Sequence, residues 1–211
     1  MSNAGQFLEV FLTFFQRPRM AVIVFYMMFF RLGDALLFKM SQPFLLDQPE
    51  KGGLGVSTEN LGLIYGGVGT SFLLLGGFLG GYVVSKFGLK RTLLPTALIQ
   101  NSAILLYYIL SKTPPNLLLI GCLNAFEQFA YGLGLTAYTV FLLSLASEKY
   151  RSGHYAIATA FMALGMLIPG YFSGSLCTQL GYQNFFLLSF LLSIPGIIAI
   201  FFLPLPQEAK A

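Results

Sequence analysis

Six stretches of the chain run apolar with little interruption, near residues 20–46, 59–84, 92–111, 115–146, 153–178 and 183–204. A helix needs about 20 such residues to cross the hydrocarbon core of a bilayer. The pattern therefore predicts six transmembrane helices, the fourth long enough to tilt or protrude. Polar residues punctuate the runs. Ser57 and Thr58 suit the cap of the second span and Ser152 that of the fifth, while Pro114 and Pro115 mark a turn before the fourth. Upstream, Leu8, Phe11, Leu12 and Phe15 recur at helical spacing and predict an amphipathic lead-in. The chain thus divides into a lead-in over 1–19, a six-helix transmembrane domain over 20–205, and a tail over 206–211.

Composition narrows the class. Hydrophobic residues make up 56% of the chain and charged residues only 9%, where soluble domains carry about a quarter. Long apolar runs, few charges and 23 glycines describe an all-α, multi-pass membrane protein. The net charge of +4 forms no stripe or patch, so no nucleic-acid partner is expected. Its distribution predicts direction instead. Arg17, Arg19, Lys86, Lys90, Arg91, Lys149, Arg151 and Lys210 fall in one set of connections, and only Lys51 and Lys112 in the other. Basic residues favour the cytoplasmic side, which places both termini there.

Several chemistries are not indicated. Cys122 and Cys177 lie in apolar runs without paired spacing and read as small buried hydrophobes. His154 is the single histidine, expected in the loop at the cytoplasmic end of the fifth span as an interfacial residue. With no HExxH and no GxSxG, neither a zinc protease nor a serine intramembrane protease is expected. No enzyme, metal or cofactor is predicted.

The charges inside the spans stand out against this. "FRLGDALLFKM" places Arg31, Asp34 and Lys39 in the first span, where each charge costs about 2.5–3.5 kcal/mol at mid-bilayer. At about 100° per residue, Arg31, Asp34, Lys39 and Gln42 share an arc of roughly 140°, and Arg31 and Asp34 are spaced to pair. In the fourth span Asn124, Glu127, Gln128, Tyr131 and Tyr138 share about 100°. A repeat connects the two. Gly81–Gly88 and Gly174–Gly181 both read Gly, three residues, Ser or Thr, two residues, Gly, at an offset of 93, and that offset sets Asp34 on Glu127. A 3+3 repeat of odd-numbered units has inverted topology. The second and fifth spans hold small-xxx-small pairs for close packing, Gly62/Gly66, Gly76/Gly80, Gly77/Gly81 and Gly170/Gly174. The third and sixth carry no charge and are expected to face lipid.

"GYVVSKFGLKR" resembles the loop motif of the major facilitator superfamily, G-x-x-x-D-[RK]-x-G-[RK]-[RK]. Gly81, Lys86, Gly88, Lys90 and Arg91 fit; Ser85 stands where the motif has aspartate, and Leu89 where it has its first basic residue after the glycine. A basic turn with a glycine helix stop would read the same way. Longer stretches, "FFRLGDALLFKMSQPFLLD", "NAFEQFAYGLGLTAYTVFLLSL" and "HYAIATAFMALGMLIPGYFSG", are similar to the C-terminal half of AmpG-type permeases, and the similarity runs from about Phe11 onward. Complete members have two halves of six spans, and the start of this chain resembles the linker between them. The resemblance implies a C-terminal half, from a truncated or split gene or a trimmed chain, that needs an N-terminal six-helix half or a second copy of itself.

The resemblance further implies proton-driven import of cell-wall muropeptides or related amino sugars across a bacterial inner membrane. A sugar or acyl-CoA carrier, or a six-helix fragment or scaffold that does not transport, are the alternatives. In such a half the first and fourth helices line the cavity, the second and fifth meet the other half, and the third and sixth lie outside. Arg31, Asp34, Lys39, Gln42, Asn124, Glu127, Gln128 and Tyr131 would then form the cavity wall facing a small-molecule solute. Glu127, with no basic neighbour within a turn of sequence, is free to load and release a proton. Asp34 sits beside Arg31. The plainer reading is a structural ion pair between helices, with Glu127 pairing to Arg31 or Lys39 across the cavity.

Cysteines placed in the loop from Asp47 to Ser57 are expected to label from outside the cell, and those in the turn from Ser85 to Arg91 only after permeabilisation. The reverse pattern overturns the orientation.

Overall fold

The computed structural model describes residues 3–205. The predicted tail over 206–211, with Lys210, lies outside them. The described residues form helices joined by short turns and loops, with no strand among them. A short helix α1 (Asn3–Phe15) precedes α2 (Met20–Phe29) and α3 (Leu32–Leu46), which are separated only by a break at Phe30 and Arg31. A second rod joins α4 (Thr58–Gly62), a π-helical turn (Leu63–Gly69) and α5 (Thr70–Phe87). Then come α6 (Leu89–Leu110), α7 (Leu117–Ser144) and α8 (Arg151–Ala199). Five helical runs are long and apolar enough to cross a membrane: Met20–Leu46, Thr58–Phe87, Leu89–Leu110, Leu117–Ser144 and Arg151–Phe202.

The last run has 52 residues, about 78 Å of straight helix against a hydrocarbon core of about 30 Å. It is not straight. Gly181 has φ 72° and ψ 159°, a backbone region essentially reserved for glycine. Both ends of the run meet the turn that holds Arg17 and Arg19: Arg17 Nη2 lies 2.7 Å from His154 Nδ1, and Arg19 Nη1 donates to the Phe202 carbonyl at 3.2 Å. Its middle is at the opposite end of the bundle, where the Tyr182 hydroxyl donates to Asp47 at 2.7 Å. The run folds back at Gly181 into two arms, over 151–180 and 182–199. The turn between α5 and α6 is built alike. Gly88 has φ 78° and ψ 156°, so the two glycines aligned by the 93-residue offset share one conformation.

Two apolar cores stack along the bundle. One, at the Arg17 end, gathers Phe14, Ile23, Tyr26, Leu93, Phe141 and Ile157. The other, at the Asp47 end, gathers Phe44, Leu54, Leu61, Leu110, Ile120 and Phe186. Buried polar residues lie between them along the sequence of each contributing helix: Arg31 and Asp34 in the first run, Gln100 in α6, Glu127 and Gln128 in α7, Ser189 in α8. The bundle is apolar at both ends and polar across its waist.

Glycines hold the rods together, though not all those with the expected spacing. A Cβ on Gly76 would collide with the Phe129 carbonyl, one on Gly80 would lie 2.8 Å from the Leu133 carbonyl oxygen, and one on Gly132 would strike the Leu73 carbonyl. These three make the seam between α5 and α7. Gly165 serves the first arm of α8 in the same way, 2.9 Å from the Met28 carbonyl oxygen. Around Gly62, Gly66, Gly81 and Gly174 no described atom lies within 4 Å of a built Cβ. Among the described residues these positions are open.

Other expectations shift for local reasons. Ser57 does cap its helix, accepting from the Asn60 N–H at 3.3 Å. Ser152 does not cap α8, which starts one residue earlier at Arg151. Asn116 caps α7 by accepting from the Leu119 N–H. The third span, α6, turns one side inward and buries Thr92, Thr96, Gln100, Asn101 and Tyr107; a charge count alone misses this because none of these residues is charged. Cys177 is buried but Cys122 is exposed on the outer face of α7. In α1 the residues that pack inward are Val10 and Phe14, while Leu8, Leu12 and Phe15 stay exposed. His154 is in the first turn of a helix rather than a loop, and is buried.

Gly76→Leu or Gly80→Leu is expected to break the α5–α7 seam, since a side chain there meets backbone that cannot yield. Gly81→Leu should leave the fold intact. Unfolding temperature in detergent separates the two cases, and equal loss in all three variants would refute the assignment of the seam.

Candidate functional site

Arg31 falls at the break between α2 and α3 and points into the bundle, 1% exposed. A guanidinium there needs anionic and polar partners, and three helices supply them while a fourth completes the shell around Asp34. Nη1 donates to Asp34 Oδ2 at 3.2 Å across one turn of α3. Nη2 donates to the Tyr131 hydroxyl of α7 at 2.8 Å and touches Met166 Sδ of α8 at 3.0 Å. The guanidinium carbon lies 5.1 Å from the Tyr131 ring centre and 6.0 Å from that of Tyr138, within cation–π range. From α6, Gln100 donates its amide to the same Asp34 oxygen. Gly134 on α7 makes room for it: a Cβ at that position would collide with the Gln100 side chain.

Glu127 lies one turn along α7 from Tyr131, 3% exposed. Its Oε2 accepts from Gln128 Nε2 at 2.9 Å and from Asn124 Nδ2 at 3.4 Å. Both donors are neutral amides on its own helix. Among the described residues no basic side chain forms an ion pair with it. The two buried carboxyls thus have different company, Asp34 held by a cation and Glu127 by amides. Above Glu127, toward the Asp47 end, the hydroxyls of Tyr65 and Tyr107 meet at 3.2 Å.

The residues singled out in the sequence do not all gather here. Arg31, Asp34, Asn124, Glu127 and Gln128 are buried in the polar waist, and Tyr131 is half-buried at its edge. Lys39 and Gln42 are exposed on α3. The Lys39 stem crosses Gly170, its Cε 3.2 Å from a Cβ built there. The sequence reading missed Gln100, Met166, Tyr65 and Tyr107. A glutamine and a methionine in apolar helices give no charge signal, Tyr107 is one more uncharged residue of α6, and Tyr65 is placed by a π-helical turn that no periodicity announces.

The loop motif forms a separate feature at the Arg17 end. Gly81, Ser85 and Lys86 belong to the last turns of α5, Gly88 is the turn itself, and Lys90 and Arg91 open α6 on its exposed side. Lys86 Nζ donates to the Tyr82 hydroxyl at 3.1 Å and lies over the Tyr82 and Phe87 rings. Thr92 donates to the Gly88 carbonyl at 2.8 Å.

His154 serves another purpose. Nδ1 faces Arg17 Nη2 at 2.7 Å and the Ser147 N–H at 3.2 Å, and since both groups can only donate, Nδ1 accepts. The proton then sits on Nε2, facing Thr13 Oγ1 at 3.0 Å. The ring ties α1 to the start of α8.

These features define an all-α, multi-pass membrane protein with ionisable groups buried at its waist. The family model for the Major Facilitator Superfamily matches residues 20–211, and the chain belongs to that family. Among its relatives, the protein named transporter AmpG 2 of Rickettsia prowazekii is 30% identical over 207 residues, 96% of this chain and 48% of that protein. The protein named transporter AmpG 4 of Rickettsia conorii is 28% identical over 193 residues, 92% of this chain and 45% of its own length. The anhydromuropeptide permease of Escherichia coli K12 is 26% identical over 185 residues, 88% of this chain and 37% of its own. The chain spans about half the length of the curated relatives it matches, or less.

Asp34→Asn leaves the Arg31 guanidinium buried without its anion. The expected loss is about 3–5 kcal/mol of stability, read as a lower unfolding temperature and yield. Adding Arg31→Gln to that variant should restore part of it. No loss in Asp34→Asn would mean that Tyr131 and Met166 suffice to hold the cation.

Proposed function

We propose that this chain is the C-terminal half of a proton-coupled secondary carrier in a bacterial inner membrane, crossing six times with both termini cytoplasmic. Its solute is a cell-wall muropeptide or related amino sugar, a class suggested by the name of the Escherichia coli relative. The observation that carries the coupling is Glu127, a carboxyl buried at the waist and held only by the amides of Asn124 and Gln128. Such a group can take up and give back a proton without breaking an ion pair. Arg31 and Asp34, locked to each other and to three further helices, are the fixed part of the wall. Lys39 and Gln42, exposed on α3, reach toward solute in the shared cavity.

Six crossings are supported by the fold-back at Gly181, and the inverted 3+3 repeat by the matching backbone of Gly88 and Gly181. It is supported again by packing, since α5 meets α7 through glycine as the first arm of α8 meets α2. The open glycines Gly62, Gly66, Gly81 and Gly174 suit the close approach of an N-terminal half. A second copy of the chain is the other candidate for that surface.

The test is Glu127→Gln in the chain co-expressed with the N-terminal half of the Rickettsia prowazekii relative and reconstituted in vesicles. Solute exchange down its own gradient should persist and proton-driven accumulation should fail. Normal accumulation by Glu127→Gln removes this residue from coupling. No solute movement by the parent pair, or by the chain alone, favours a scaffold over a carrier.

A further inference from the structure

The second rod changes pitch where it passes the site. Between α4 and α5, Leu63–Gly69 winds as a π-helix. Thr70 holds the wide turn, its backbone N–H and its hydroxyl both meeting the Tyr65 carbonyl, and the Ser71 hydroxyl takes the Gly67 carbonyl at 2.9 Å. Turns of this kind carry one extra residue and recur at functional sites. Here the sequence is LIYGGVG. Gly69 has a packing reason to be glycine, since a Cβ there would lie 2.8 Å from Asn124 Oδ1 and 3.2 Å from Gln128 Cγ. Gly66 and Gly67 have none among the described residues of this chain: no described atom lies within 4 Å of a Cβ built on either. What two adjacent glycines give the rod is a weak preference for the α-helix.

The π turn also decides where Tyr65 points. Its hydroxyl meets that of Tyr107 at 3.2 Å, with the Ser41 and Asn124 side chains beside it and Glu127 within electrostatic reach. Tyr107 and Ser41 are each 2% exposed. Counted along their helices, Tyr65 is about 12 Å below the Ser57 cap and Glu127 about 16 Å below the Asn116 cap. The tyrosine pair therefore stands between the carboxyl and the Asp47 end of the bundle.

We propose that Leu63–Gly69 is a hinge and Tyr65 the residue it moves. In the π register Tyr65 closes the approach to Glu127 from the Asp47 end. Relaxation to the α register turns it about 100° around the rod relative to Thr70, parts it from Tyr107 and opens that approach. The proposal rests on Glu127 as the coupling carboxyl, but its test does not.

Ser41 is a natural reporter, buried beside Tyr65 and close in shape to cysteine. The full chain carrying S41C, C122S and C177S is placed in lipid nanodiscs, and labelling by a water-soluble methanethiosulfonate is timed with no solute or proton gradient. G66A/G67A adds two methyl groups where space is open and favours the α register, so labelling should quicken about tenfold or more. Y65A, which removes the closing side chain, should quicken it as much. Unchanged labelling in both, with unchanged helical content and a monodisperse elution, overturns the proposal. Quickening in Y65A alone overturns the hinge. Where the double variant fails to elute as folded, G66A alone makes the same comparison. If labelling responds as expected while Glu127→Gln still accumulates solute, the hinge stands and the coupling role falls.

Discussion

A guanidinium taken out of water must be surrounded or it will not stay buried, and Arg31 organises the waist of this protein on that condition. Its partners come from α3, α7 and α8, and Gln100 of α6 completes the shell around Asp34. Sliding any one of these helices by a turn would strand a charge between two apolar cores. The polar layer therefore fixes the register of the bundle, which apolar packing between similar helices in lipid does only weakly. It contributes specificity more than net stability, since a buried ion pair does little better than break even.

Much of this was legible in the residues. Apolar runs are long and charges few, so the all-α membrane class and the placement of the helical runs could be read from length, while the count differs: six apolar stretches were expected and five continuous runs are found, the last folded back at Gly181. The buried ion pair was visible because Arg31 and Asp34 are charged and three residues apart. The pattern shared by Gly81–Gly88 and Gly174–Gly181 was visible, and the common backbone of Gly88 and Gly181 gives it a physical reason: that conformation is essentially reserved for glycine. What remained hidden depends on facing, not on composition. Gln100 reads as an ordinary polar residue in a span until α6 is seen to turn it toward Asp34. Lys39 falls on the arc of Arg31 and yet stays at the surface, because that arc extends beyond the helices that cover its inner part.

The two cluster halves illustrate how one scaffold sets two carboxyls apart. Asp34 is held by a cation and an amide from another helix, and its neighbours are fixed by close contacts such as that between Gln100 and Gly134. Glu127 is held by amides of its own helix, next to a rod that is locally π-helical and rich in glycine. Asp34 therefore has the more rigid surroundings and Glu127 the more yielding ones. The contrast arises from neighbours, since a single buried carboxyl is common to both.

The His154 contact has a mechanical consequence. Thr13 in the last turn of α1 and Arg17 just beyond it both close on a single imidazole in the first turn of α8, while Lys149 just before that helix pairs with Glu9 at 3.0 Å. The lead-in is thus clamped at two points to one arm of the fold-back instead of trailing from it. Tension applied to the chain ahead of α1 reaches the α8 arm directly, without first being taken up by slack, so that whatever pulls on the N-terminal segment also pulls on the helix whose Met166 touches Arg31.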